Sequence, residues 1–308
     1  MKKILLSVVC LVMVGMQSIK AQVAICALHH NGSVTIYGQP LIQDAIDAAV
    51  QGDTLYLSEG TFAGFTVAKP IAIIGAGQTT VISGKVTVGS TDAATEEGLL
   101  LNGIRMLSNI NFYGVTNGVQ ISQCLMESGC GFSSDESASF NNIEIIMSQI
   151  KGGLYLCDKI ANISVLNSKI RDVYDYAGEG GATFLNCHVY STDHGGNGNN
   201  NYINSIVDLA YTGYYKNCLW YSTSSATLVD CQKPDSYFFD DFTALNCTLS
   251  DEELRNAGYL GTDGTVVGIT GGENPFTLVM SEMQVTQGSL EVDNVEKKLK
   301  VTLTLGNK

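Results

Sequence analysis

The feature that most constrains this chain is a short motif that keeps returning: apolar–Asn–(Ser/Cys)–x–apolar. It reads Val165-Leu166-Asn167-Ser168-Lys169-Ile170, then Phe184-Leu185-Asn186-Cys187-His188-Val189 and Tyr202-Ile203-Asn204-Ser205-Ile206-Val207. Tyr215-Lys216-Asn217-Cys218-Leu219-Trp220 and Ala244-Leu245-Asn246-Cys247-Thr248-Leu249 follow, and Ile121-Ser122-Gln123-Cys124-Leu125-Met126 is a looser copy. The asparagines are 19, 18, 13 and 29 residues apart. A unit this short cannot bury its own apolar face and must stack on its neighbours. The first two steps match one rung of a β-solenoid; the last two imply a shortened rung and an insertion. Stacking would line the interior with apolar ladders and set asparagine at the turns, where amides bond along the stack.

Composition agrees. Of 308 residues only 15% are charged and 45% are hydrophobic, which is too apolar for a disordered chain. The 33 glycines have no period of three, so collagen is excluded. A net charge of −13 without a basic stripe argues against a nucleic-acid partner.

The first segment reads as an address. Met1-Lys2-Lys3, the apolar run Ile4 to Met16 and a small residue at Ala21 form a signal-peptide pattern, with cleavage before Gln22. The run is too short to span a membrane, and no later stretch is apolar enough. The chain is therefore expected to be exported, to periplasm, cell surface or medium. Removing residues 1–21 takes away three lysines, leaving 14 basic against 30 acidic residues, or −16. Eight cysteines then remain. Their strand-like surroundings favour stacked core thiols, with a disulfide framework or zinc as alternatives.

Along the chain, Ile42, Ala45, Ile46 and Ala49 share one helical face behind Pro40, and Gly52-Asp53 ends the segment. The period then changes to two. Thr54-Leu55-Tyr56-Leu57, Phe65-Thr66-Val67, Ile71-Ala72-Ile73-Ile74 and Thr80-Val81-Ile82 begin a long series of short strands separated by Gly, Asn, Ser or Asp. Asp251 to Gly258 reads as a short helix, and Leu290–Val292 with Leu299–Leu305 as a terminal hairpin.

The stretch Ile42-Gln43-Asp44-Ala45-Ile46-Asp47-Ala48-Ala49, with Gly52-Asp53-Thr54-Leu55-Tyr56-Leu57, Glu59-Gly60-Thr61-Phe62 and Lys69-Pro70-Ile71-Ala72-Ile73-Ile74-Gly75-Ala76-Gly77, resembles the right-handed parallel β-helix superfamily with the pectin-lyase-like fold. The resemblance is good over 41–84 and loose over 100–250. It implies an all-β, right-handed parallel β-helix over 22–250, with a capping helix near 41–50 and a small C-terminal cap with short helix and hairpin over 251–308. It also resembles uncharacterised secreted proteins of Gram-negative bacteria.

Relatives of that fold include pectin methylesterases, polygalacturonases and pectate lyases, but the esterase and polygalacturonase signatures are absent here. Asp240-Asp241 lacks the motifs that would flank it and reads as a solvated turn. A lyase needs a base and a cation to offset enolate charge. The candidates cluster at 169–194: Arg171, Lys169 and His194 as catalytic groups, and Asp172, Asp175 and Asp193 as ligands for Ca²⁺. The plainer reading pairs Arg171 with neighbouring acids and makes 193–201 a polar loop. Aromatics crowd 174–239, and outward-facing Tyr174, Tyr176, Tyr190 and Trp220 would suit stacking on sugar rings. Two functions compete: a non-catalytic β-helix presenting a surface to a glycan or polysaccharide, and a polysaccharide lyase.

Overall fold

The computed structural model describes residues 24–90, 97–176, 181–192, 199–234, 247–276, 283–293 and 298–307. Residues 1–23, Asp193, His194 and Asp240-Asp241 lie outside these. The described chain is a right-handed parallel β-helix, with three ladders of short strands running its length.

Register makes the interior visible. Leu28, Leu55, Ile73, Leu101, Ile121 and Ile145 lie level on successive strands, and Val165, Phe184, Tyr202, Tyr215 and Leu228 continue the column. A second column runs Phe62, Ile82, Met106, Met126, Ile150, Ile170, Val189, Val207, Trp220. A third runs Phe65, Val86, Ile110, Cys130, Leu154, Val173, Thr192. The two-residue strand period sends alternate side chains inward, and burial of each large aliphatic contributes about 1.5–3 kcal/mol.

The repeated asparagine marks a corner with left-handed backbone. Gln123, Met147, Asn167, Asn186, Asn204, Asn217 and Asp230 all have φ between 44° and 54°. Asn and Asp tolerate this conformation best among residues with a Cβ, which explains their recurrence. From Gln123 onward the corners are 24, 20, 19, 18, 13 and 13 residues apart, so this half of the solenoid shortens, whereas the earlier turns from Leu55 to Ile73, Leu101 and Ile121 follow no such trend. The insertion inferred after Asn217 is thereby corrected, since Asp230 takes the next corner at once. Asn246 lies outside the described residues.

The Ser/Cys after each corner closes the turn. Ser148, Ser168 and Ser205 each donate Oγ–H to the carbonyl two residues back, at 2.8 Å. Cys187, Cys218 and Cys231 make the same contact through sulfur at 3.3–3.4 Å. The oxygen also accepts from the rung before it: Cys124 N–H to Ser148, Ser148 N–H to Ser168, Cys187 N–H to Ser205, at 3.0–3.1 Å. A small side chain with one donor and one acceptor fits, and serine and cysteine both qualify. All eight described cysteines are free thiols, seven of them buried.

As the rungs shorten, the first column turns aromatic. Phe184 and Tyr202 stack at 4.6 Å and 11°, and Tyr202 and Tyr215 at 4.7 Å and 8°. These spacings equal the distance between neighbouring strands, so one flat ring per rung fills a narrow interior. The Tyr215 hydroxyl donates to Thr212 O at 2.9 Å and lies 2.6 Å from Thr192 Oγ1, so its polar end is satisfied inside.

The N-terminal end is closed by two devices. The hairpin Ile25–His30/Ser33–Gly38 adds an antiparallel strand to Thr54–Leu57. Helix α1 (Ile42–Ala48) buries Ile42, Ala45 and Ile46, as its spacing predicts. Its Gln43 amide accepts from Thr66 N–H at 2.8 Å and donates to Thr66 O at 3.1 Å, imitating a strand partner at an edge. Lys69 caps the helix, with Nζ donating to the carbonyls of Ile46, Asp47 and Ala49.

Residues 247–276 hold to the flank, over the asparagine corner. Helix α2 (Asp251–Asn256) starts with a capping box between Ser250 and Glu253, and Gly258 follows with φ 76°. Leu254, Val266 and Val267 pack on Ile206 and Leu219. The corner amides hold the segment: Asn167 donates to Ile269 O and Gly271 O, and Asn217 to Leu260 O. Asn204 accepts from Thr262 N–H. The terminal hairpin pairs Met283–Asp293 with Lys298–Asn307, longer than the sequence suggests.

Candidate functional site

The strand Lys169–Asp175 carries most of the candidates, and its alternation sorts them. Asp172 and Tyr174 face outward, whereas Val173 and Asp175 are buried. Tyr176, two residues beyond Tyr174, is 65% exposed.

Tyr155, which the sequence reading passed over, lies level with Tyr174 on the neighbouring rung. The two rings stack at 4.8 Å and 6°. Tyr176 is parallel to both, within 6° of Tyr174 and 1° of Tyr155, at 6.2 and 6.5 Å. Three hydroxylated rings thus form one outer stack, the platform, with Tyr155 and Tyr176 exposed and Tyr174 half-buried.

Glycines make room for those rings. A Cβ at Gly129 would come within 2.8 Å of Tyr155 Cε2, and one at Gly153 within 2.6 Å of Tyr174 Cε2. Gly131 lies one rung before Tyr155. Burial and the neighbouring Asp172 carboxylate push the Tyr174 phenol above its ordinary value, so it stays a neutral hydroxyl at physiological pH.

Beside the platform the chain turns through Glu127, Lys151, Arg171, Tyr190 and Asp208, which directly follow the second interior column. Glu127 Oε1 takes Arg105 at 2.8 Å and Oε2 takes Lys151 at 3.0 Å. Burial opposes the Glu127 charge, but Lys151 and Arg105 outweigh it and hold the carboxyl below its ordinary value.

The structure separates the proposed catalytic cluster. Lys169 is 2% exposed, near the Cys247 thiol of the flank segment, so it cannot reach a polymer outside. Arg171 is exposed and lies 3.7 Å from Asp172, the pairing the plainer reading expected. Asp172 and Asp175 sit on opposite faces of one strand and do not fit a shared Ca²⁺. Asp175 accepts instead from Asn200 Nδ2 at 3.1 Å, inside. Among the described residues no three of His, Cys, Asp and Glu gather to hold a metal ion. Asp193 and His194 lie outside the described residues.

Of the proposed sugar-stacking aromatics, Tyr174 and Tyr176 come together. Tyr190 is half-buried at the bend, level with Arg171. Trp220 ends the second interior column, packed on the core, with Lys233 Nζ 5.1 Å above its ring. The signal for Tyr155 was present: it precedes Tyr174 by 19 residues, the step between Asn167 and Asn186.

Apart from the tyrosines, a concavity of about 560 Å³ lies on the first ladder, lined by Glu97, Gly118, Gln120, Asn142, Glu144 and Asn162 among others. Gln120 donates to Glu144 at 3.0 Å, and Asn162, Asn142 and Asn117 form an amide chain.

No family model, curated protein or solved structure matches the chain. Among the described residues no helix is long and apolar enough to cross a membrane.

Proposed function

We propose that this chain is an exported, non-catalytic β-helix protein of the pectin-lyase-like type, whose outer tyrosine platform binds a glycan. One observation carries the reading: Tyr155, Tyr174 and Tyr176 expose parallel rings on a rigid sheet. A pyranose has an apolar face of C–H groups and a rim of hydroxyls. The exposed Tyr176 ring offers a face to the sugar, and the phenol hydroxyls along the stack meet the rim. The rings are fixed by the ladder before any ligand arrives, so little side-chain freedom is lost on binding. The exported chain, at −16 without residues 1–21, disfavours polyuronates and favours neutral sugars.

Buried Lys169 and the opposed Asp172 and Asp175 support a non-catalytic role. The lyase alternative keeps one point in its favour, the exposure of Arg171 on the strand that bears Tyr174. Titration with neutral oligosaccharides, followed by tyrosine fluorescence and calorimetry, tests the proposal. Saturable binding weakened about tenfold in the Tyr174→Ala, Tyr176→Ala double variant supports it. Release of unsaturated uronate, abolished by Arg171→Ala, would establish the lyase instead.

A further inference from the structure

The Ser/Cys positions behind the corners read Cys124, Ser148, Ser168, Cys187, Ser205, Cys218, Cys231 in stacking order. Serine separates the thiols everywhere except at the end. Among the described residues of this column, only Cys218 and Cys231 occupy adjacent rungs. Lys216 is level with Val229, and Leu219 bridges Gln232, so the two cysteines are in register. Cys218 N–H points at Cys231 Sγ, 3.4 Å away. Level residues on parallel rungs have Cα atoms about 4.8 Å apart, inside the ~4.4–6.8 Å range that a disulfide spans.

The pair also differs from its neighbours in access. Cys124 and Cys187 are buried, and burial pushes both thiols up to about 12. Cys231 is half-buried. Its contact with the Cys218 thiol, together with the N–H that Cys218 donates to it, lowers the Cys231 thiol to about 7 against partial burial. An accessible thiolate beside a second thiol is the arrangement that disulfide exchange requires.

We propose that Cys218 and Cys231 form an oxidation site that reacts with low-molecular-weight disulfides and joins the last two rungs covalently. The Cys231 thiolate attacks one sulfur of the external disulfide and expels a thiolate, which takes up a proton. Cys218 then loses its proton and attacks the Cys231 sulfur of the mixed disulfide, expelling the second small thiol. Two protein thiols are oxidised, and one small disulfide is reduced to two thiols. The new bond ties down a rung that stacks on only one described neighbour.

The full chain, reduced and then incubated with oxidised glutathione, tests this by intact mass and peptide mapping. The wild type is expected to lose two hydrogens, with the link mapping to Cys218 and Cys231. Cys218→Ser is expected to stop at one glutathione adduct on Cys231, and Cys231→Ser to leave Cys218 unmodified. Serine fills the same position at 148, 168 and 205, so both variants keep the turn, which circular dichroism checks. An unchanged wild-type mass, a link mapping to another cysteine, or no adduct on Cys218→Ser would overturn the proposal.

Discussion

Two tyrosine-bearing stacks, built on the same spacing, lie on opposite sides of the same sheet system. Inside, Phe184, Tyr202 and Tyr215 stack at 4.6–4.7 Å and are fully buried. Outside, Tyr155 and Tyr174 stack at 4.8 Å, with Tyr176 parallel to them, and Tyr155 and Tyr176 are exposed. The strand ladder dictates the separation in both cases. The stacks stand on different ladders, the first and the third, and on opposite faces, and the face sets the consequence: the inner rings hold the column together, and the outer rings are available to something else.

Substitution should separate the two. Tyr202→Ala leaves a cavity in the narrow interior and should cost about 3–5 kcal/mol, read as a lower denaturation midpoint. A loss under ~1 kcal/mol would mean the inner stack is not packed. The Tyr174→Ala, Tyr176→Ala double variant should do the reverse. Its stability should stay within about 0.5 kcal/mol of wild type, while oligosaccharide affinity falls about tenfold, or ~1.4 kcal/mol. Unfolding of this variant would erase the contrast. Tyr215→Phe sharpens it, since the hydroxyl shared with Thr192 and Thr212 is inside; about 1 kcal/mol should be lost, with binding unchanged.

The smallest effect is electrostatic. Glu127, beside the outer stack, is held below its ordinary 4.5 in the folded chain. Its contribution is therefore present above that value and fades as pH falls through it toward the folded value. Because the ion pair is partly exposed, Glu127→Gln should cost only a few tenths of a kcal/mol at neutral pH. The gap to wild type should close in acid, as followed by thermal unfolding at several pH values.

Much of the inner stack was legible in the sequence, because Phe184, Tyr202 and Tyr215 each stand two residues before a repeated asparagine. The corners at Met147 and Asp230 were not legible, because the left-handed turn is a backbone requirement that asparagine meets best but does not own. The same limit produced a false insertion after Asn217. The platform was half legible. Tyr174 and Tyr176 stood out as part of an aromatic-rich stretch, but Tyr155 belongs to a rung whose corner is Met147. Lys169 looked catalytic because sequence does not reveal that residues 247–276 return to cover the flank. That contact joins Asn167 to Gly271 across 104 positions and leaves no periodic trace.

The shortening of the turns after Gln123, from 24 residues to 13, has a consequence for growth. Solenoids with identical units can lengthen by copying one, and their ends can abut head to tail into fibres. Here a duplicated turn would match neither the larger circumference on one side nor the smaller on the other. It would lose register with one neighbour or the other, and at the N-terminal end the hairpin and helix α1 already occupy the edge on which a second molecule would stack.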